Sequence, residues 1–307
     1  MATQRYALAE GALWQQAGLT PVEHRIHLSR NDVDVRLREV GDGPPVLFLH
    51  GGPGAAGPIW ADLAARLPHL RCLLLDRPGT GLSARHLLSD AAAVRREAET
   101  MVVDVLDALE LDRAHLVGSS HGSYIALLSS AAQPHRVDRT VHLGCPGFVE
   151  GMSTLLFDRL VLLPGAPQLF GRLPASEKSM RNTFRQLGHG ASLAADRIPQ
   201  ALLDWCVALQ RDTDTMRNEL ASMGNMGTFR GGFDPRLTVQ TELLHDVRSP
   251  TYVLWGANDP YGDEAVAQRL VDALPDAELE LLPDAGHLCW LDDLDHAATV
   301  IDSHLLG

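Results

Sequence analysis

The 307-residue sequence predicts an α/β protein: a mostly parallel central sheet flanked by helices, with a helical cap inserted between two strands. Three observations predict it. Short continuous apolar runs alternate with helical periodicity, the pattern of strands buried on both faces of a parallel sheet. Near the N-terminus two runs alternate apolar and polar residues instead, as a half-buried antiparallel pair does. One interval between apolar runs is roughly a hundred residues long, where a parallel crossover needs only a dozen or more.

In chain order, residues 7–18 read as a short helix. His24–Leu28 and Val33–Val40 read as paired strands joined at Asn31-Asp32, with Val33, Val35 and Leu37 on one face. The continuous runs are Val46–Leu49, Cys72–Leu75, Ala114–Val117, Thr140–Leu143 and Tyr252–Trp255, with Leu279–Leu282 a weaker sixth. Helical periodicity covers Ile59–Leu67, Ala92–Leu109, Tyr124–Ala132, Glu264–Leu274 and Asp292–Leu305. The long interval is punctuated by Pro164, Pro167, Pro174, Pro199 and Pro235, and Gly224–Gly232 is its most loop-like part. It reads as several helices lying over the sheet. Residues 1–147 and 239–307 are therefore assigned to the core domain and 148–238 to the cap.

Composition narrows the function. Hydrophobic residues make up 45% and charged residues 21%, a globular balance. A net charge of −13 disfavours nucleic acid or an anionic membrane surface, both of which need a basic face. No apolar stretch of signal-peptide or membrane-spanning length occurs, so a cytoplasmic protein is expected. Cys72, Cys145, Cys206 and Cys289 are widely spread and read as free buried thiols. A small-molecule substrate is the expected partner, and the sequence carries no signal for oligomeric state.

The chemistry resides in three motifs and two single residues. Gly118-Ser119-Ser120-His121-Gly122 follows an apolar strand and precedes a helical pattern, the strand–turn–helix setting of a nucleophile elbow. Ser120 is two residues from both glycines and is the candidate nucleophile; Ser119 reads as a structural hydroxyl. Glycines are needed because the turn is tight and strained. His50-Gly51-Gly52-Pro53-Gly54 follows the first core strand, where a glycine loop lets backbone N–H groups reach a substrate carbonyl. The backbone N–H groups of Gly52 and His121 are the candidate oxyanion donors, while the side chain of His50 reads as structural and that of His121 as pointing away from the attacking oxygen. Asp76–Ser83 reads as a turn shaping the site floor. A serine hydroxyl needs a base, and His287, after the last strand and preceded by Gly286, is the candidate. Asp259, just past the Tyr252–Trp255 run, is the carboxylate expected to orient it, in the chain order serine, acid, histidine. Asp263, Glu264 and Asp284 are alternatives, the first two expected at a helix N-terminus.

With these motifs the chain resembles the α/β-hydrolase superfamily over almost its whole length. The resemblance implies the α/β-hydrolase fold, a Ser120–His287–Asp259 triad and no metal or organic cofactor. Haloalkane dehalogenases and epoxide hydrolases are similar but place an aspartate at the position of Ser120, and epoxide hydrolases use cap tyrosines. Here all four tyrosines (Tyr6, Tyr124, Tyr252, Tyr261) lie outside the cap. The His-Gly-Gly-Pro-Gly loop is similar to that of proline iminopeptidases, but the elbow and the Asp76-Arg77-Pro78-Gly79 turn depart from that family's pattern; Glu177, Glu219 or Glu242 would have to bind a substrate amine. The expected function is hydrolysis of a small carboxylic ester or lactone. The alternatives are a proline iminopeptidase-like or other amide hydrolase, a C–C bond hydrolase, and a receptor-like ligand-binding module on the same fold. Leu155, Phe157, Leu160, Phe170, Phe184, Trp205, Met216, Met223, Met226 and Phe229 are the apolar cap residues expected to face the pocket.

Overall fold

The apolar runs pack through alternation even where the sequence shows none. Val46 and Phe48 enter one apolar cluster, Leu47 and Leu49 the other, because successive strand side chains point to opposite faces. With a core on each face, Val46–Leu49 is apolar at every position. The computed structural model describes residues 2–307. It opens on α1 (Ala2–Ala17), followed by β1 (Val22–Leu28), β2 (Val33–Val40), β3 (Pro45–Leu49), α2 (Ala61–Ala64), β4 (Arg71–Leu75), α3 (Ala91–Ala108), β5 (Ala114–Ser119), α4 (His121–Ala132) and β6 (Val137–Leu143). After the long insertion come α11 (Thr241–Leu244), β9 (Thr251–Gly256), α12 (Glu264–Ala273), β10 (Ala277–Leu282) and α13 (Leu294–Leu306). The eight strands named so far form one sheet in the order β1-β2-β4-β3-β5-β6-β9-β10. β2 pairs antiparallel with β1 and β4, and every other pairing is parallel. The fold is that of an α/β hydrolase, and its candidate site lies at the carboxyl ends of the parallel strands, where open α/β sheets bind ligands.

The insertion holds α5 (Leu156–Val161), α6 (Ala166–Phe170), α7 (Glu177–Gln186), α8 (Gly190–Ala194), α9 (Gln200–Asp212) and α10 (Thr215–Met223). Within Gly224–Gly232 and just past it lies a minimal ladder, β7 (Gly227–Thr228) with β8 (Gly232–Phe233), so this stretch is a tight hairpin rather than open loop. The helix expected over Ile59–Leu67 is a 3₁₀ turn, Gly57–Trp60, opened by Pro58, followed by the single turn α2; Pro68 disfavours helical backbone at Leu67, so the helix stops short of it.

Helix α1 starts earlier than its periodicity suggests, and it packs on the inserted helix α9: Tyr6, Leu13 and Trp14 share one apolar cluster with Leu202, Leu203 and Trp205. Trp205 is fully buried there and does not face the cleft, contrary to expectation. Arg36, fully buried, ties this helix to the sheet through Glu10 (2.9 Å) and Asp76 (2.7 Å). Asp76 also accepts the backbone N–H of Gly57 and Leu82, so it is a structural group, as expected. All four cysteines are buried and free. Among the described residues no helix is long and apolar enough to cross a membrane.

Candidate active site

The elbow is built by close packing. Ser120 has φ 53° and ψ −120°, a left-handed conformation that costs a non-glycine residue of order 1–3 kcal/mol and persists only where its surroundings enforce it. Its neighbours show why glycine flanks it. A Cβ on Gly122 would lie 1.8 Å from the carbonyl oxygen of Leu49, and one on Gly118 would lie 2.8 Å from the backbone of Ser123. The turn therefore lets α4 pass directly over the end of β3 and lifts Ser120 into the cleft. Ser119, on the strand side, is fully buried, and its hydroxyl finds no partner among the described residues.

The histidine and its acid come from the ends of the last two strands of the sheet. Asp259 follows β9, His287 follows β10, and Asn258 N donates to Ala285 O (2.8 Å), fastening one turn to the other. His287 Nδ1 lies 2.8 Å from Asp259 Oδ2, and both side chains are buried. Asp259 Oδ2 also accepts Cys145 N–H (2.9 Å) and Oδ1 accepts Tyr261 N–H (2.9 Å). The carboxylate thus has its charge delocalised over two backbone dipoles before it meets the imidazole. Asp263 caps α12 through Val266 N and Glu264 lies in the first turn, as expected, while Asp284 is exposed in a turn. Ser120 and His287 line the same cleft.

The glycine loop lies against the serine: a Cβ on Gly51 would come 2.9 Å from Ser120 Cβ. His121 N–H opens α4, where first-turn N–H groups lack intrahelical acceptors and carry the positive end of the helix dipole. The N–H groups of Gly52 and His121 find no acceptor among the described residues. The His121 ring stacks on Tyr124 and meets Phe148 edge-on, and burial followed by the Arg77 charge pushes its pKa down to about 3, so it is uncharged. His50 is fully buried against Gly51 O (2.6 Å) and Thr80 Oγ1 (3.2 Å), and burial holds it well below its ordinary pKa. It is a structural group.

Two carboxyl groups of the cap complete the cleft. Glu219, on α10, accepts from Arg77 Nη2 (2.6 Å) and from Gly54 N–H (2.5 Å), while Arg77 also donates to His50 O and Gly51 O. One buried ion pair therefore fastens a cap helix to the glycine loop. Of Glu177, Glu219 and Glu242, only Glu219 reaches the cleft, and there Arg77 already pairs with it. Asp158, on α5, lines the cleft with Tyr261 and His287, and burial raises its carboxyl to about 6. Asp158 is not legible as a site residue in sequence, and Glu219 is not separable there from Glu177 and Glu242, since an acidic residue on a polar helix face reads as solvated or capping. Replacing Glu219 by Ala should lower unfolding stability in urea by about 3–5 kcal/mol, because Arg77 and Gly54 N–H lose their partner inside the protein. The double variant Arg77→Met/Glu219→Leu should recover part of that loss.

The cleft has two lobes meeting at Ser120, His287, Gly52, Pro53 and Tyr261. The smaller, about 110 Å³, is mixed, with Arg77, Asn218, Glu219, His86 and Glu97 among Met and Phe side chains. The larger, about 340 Å³, is uncharged: apolar side chains with Ser179, Thr183, Gln186 and Gln210, and among the described residues lining it no lysine, arginine or carboxylate. Leu155, Phe157, Phe170, Phe184 and Met216 face the larger lobe, Met223 and Met226 the smaller; Leu160, Trp205 and the exposed Phe229 face neither.

A family model described as the alpha/beta hydrolase fold matches residues 44–294. The chain belongs to the α/β-hydrolase family. It is 31% identical over 267 residues to a 2-hydroxy-6-oxononadienedioate/2-hydroxy-6-oxononatrienedioate hydrolase of Cupriavidus pinatubonensis, covering 82% of this chain and 84% of the relative. It is 29% identical to a 2-hydroxy-6-oxo-6-phenylhexa-2,4-dienoate hydrolase of Burkholderia cepacia, with coverage of 82% and 84%. Among solved structures, the 2-hydroxy-6-oxo-6-phenylhexa-2,4-dienoate hydrolase of a Rhodococcus superposes with a TM-score of 0.73 at 19% identity, covering 94% of this chain and 99% of that one. A Bacillus subtilis carboxylesterase gives 0.72 at 18%, covering 99% and 98%. These structural likenesses speak for the fold. This α/β hydrolase is an enzyme of the serine hydrolase type.

Proposed function

We propose that this hydrolase cleaves the carbon–carbon bond beside the ketone of a small 2-hydroxy-6-oxo dienoate. Ser120 is the nucleophile, His287 its base, Asp259 the group that orients His287, and the N–H groups of Gly52 and His121 the oxyanion donors. The observation that carries the choice of bond is the character of the relatives: those matching 82–86% of the chain are named as hydrolases of 2-hydroxy-6-oxo dienoic acids. This moves C–C cleavage ahead of the ester or lactone, which the residues alone ranked first. The triad is the same for each bond, so the residues could not separate them.

The chemistry fits the site. In the keto tautomer, attack of Ser120 Oγ on the C6 carbonyl transfers the hydroxyl proton to His287 and forms an oxyanion. Collapse breaks C5–C6, and its electron pair passes into a dienolate conjugated with the C2 ketone. His287 returns the proton to that fragment, and water, deprotonated by His287, then releases the carboxylic acid from Ser120. One water is consumed and no redox partner is needed.

The two lobes assign the ends of the substrate. The C6 substituent enters the larger, uncharged lobe, and the dienoate carboxylate enters the smaller lobe, where Arg77 bonds Glu219, His50 O and Gly51 O through Nη2 and Nε and has Nη1 left for the substrate. Because the larger lobe offers no cation, a second carboxylate there would be buried unpaired. The 6-phenyl monoacid should therefore have kcat/KM about a hundredfold or more above that of the nonadienedioate. Following loss of the dienoate chromophore and release of the carboxylic acid for both compounds, beside p-nitrophenyl acetate and proline naphthylamide, tests this. Faster turnover of the ester or the amide than of either dienoate would overturn the C–C assignment.

A further inference from the structure

Behind His287 lies a second, buried cluster of serine, histidine and aspartate that the proposed reaction does not use. His189, immediately before α8, has its Nδ1 2.8 Å from Asp292 Oδ2, and Ser192 donates to the other oxygen of the same carboxylate. His189 and Ser192 are fully buried and Asp292 nearly so. The cluster is spent on the backbone around His287. Gly286 N–H donates to Asp292 Oδ2 (2.8 Å), His287 N–H to Leu187 O (2.8 Å) and Leu288 N–H to His189 Nε2 (3.1 Å). Three consecutive N–H groups are thus held by cap residues, or by a carboxylate that cap residues hold.

A separate feature brings the same two segments together. A Cβ on Gly286 would lie 2.3 Å from Leu187 O, and one on Gly188 would lie 2.8 Å from Gly286 Cα. Backbone touches backbone, at a distance only glycine allows. The hydrogen bonds also fix the proton on His189. Since Leu288 N–H donates to Nε2, that nitrogen carries a lone pair, and the ring donates through Nδ1 to Asp292. His189 therefore works as a neutral strut: a cap residue whose two ring nitrogens both bond the segment that follows His287, Nδ1 at Asp292 and Nε2 at Leu288 N–H.

The geometry points to His189 as a positioning residue for His287: the cap sets where the base stands, through the main chain, while Asp259 sets its tautomer through the ring. The inference rests on His287 being the base of Ser120. Its consequence is that the cap contributes to the chemical step as well as to substrate size.

The test compares wild type with His189→Ala, His189→Asn and Leu203→Ala. Leu203 is buried between α9 and α1, away from the cleft, and serves as a control for general loosening of the cap. The readouts are kcat and KM on the 6-phenyl dienoate and the rate at which a fluorophosphonate labels Ser120. We expect His189→Ala to lower kcat and the labelling rate together by about ten- to a hundredfold with KM within twofold, since a misplaced reacting group costs that much. His189→Asn, whose amide keeps an acceptor or a donor, should recover part of the loss. Should His189→Ala fail to fold, His189→Asn alone should show the same split at smaller size. Unchanged kcat and labelling in a folded His189 variant would overturn the inference, as would an equal kcat loss in Leu203→Ala. Absence of Ser120 labelling in wild type would instead overturn the underlying assignment of the triad.

Discussion

Ser120→Ala should lower kcat by about 10⁴–10⁶-fold while leaving the protein folded and able to bind substrate. The size follows from the proposed roles: without Oγ no acyl-enzyme can form, and His287 has no hydroxyl to deprotonate. The residual rate comes from the oxyanion donors and from binding, which the substitution leaves in place. Alanine inherits the positive φ of Ser120 at similar strain, so thermal stability should change by no more than about 1 kcal/mol. Ser119→Ala is the matching control. That hydroxyl is fully buried, has no partner among the described residues and sits on the strand side of the turn, so activity should stay within a few-fold of wild type. Steady-state kinetics on both variants, with circular dichroism to confirm folding, checks the pair.

Asp259→Asn should cost about 10⁴-fold in kcat, and here the loss arises from hydrogen-bond polarity rather than from a missing atom. Each carboxylate oxygen of Asp259 accepts a backbone N–H, from Cys145 on one side and Tyr261 on the other. An amide has one acceptor and one donor, so either orientation sets its NH₂ against a backbone N–H. With NH₂ toward Cys145 it also faces His287 Nδ1, forcing the imidazole to carry its proton on Nε2, where it can no longer act as base. With NH₂ toward Tyr261 the tautomer survives, but a buried donor is left unsatisfied at about 1–3 kcal/mol. The variant should thus lose activity, and lose stability by that amount in urea unfolding. An active and equally stable Asn variant would show that Asp259 does not hold His287 as described.

What the sequence made legible is what local physics decides. The elbow could be read because the strand, the glycines and the helix all stand within a few residues of Ser120, and the clashes that a Cβ would meet at Gly118 and Gly122 are the reason for the pattern. The parallel strands could be read because burial on both faces leaves few polar positions in the central ones. Asp259 and His287 could be read because chain order and strand ends constrain them. The cap contributions were not legible. Glu219, Asp158 and His189 act only because the insertion folds back over the sheet, and nothing next to them in sequence distinguishes Glu219 from Glu177, which is exposed and paired with Arg181 on its own helix. Trp205 was misplaced for the same reason: its helical spacing identified a packed face, but the partner, α1, lies nearly two hundred residues away.

The proposed reaction requires Ser120 to be the activated nucleophile. Treating the folded protein with a fluorophosphonate and mapping the adduct by peptide mass spectrometry tests this most directly. One adduct per chain is expected, on Ser120, abolished in Ser120→Ala and formed far more slowly in Asp259→Asn. An unmodified folded protein, or an adduct on Ser119 or any other residue, would contradict it.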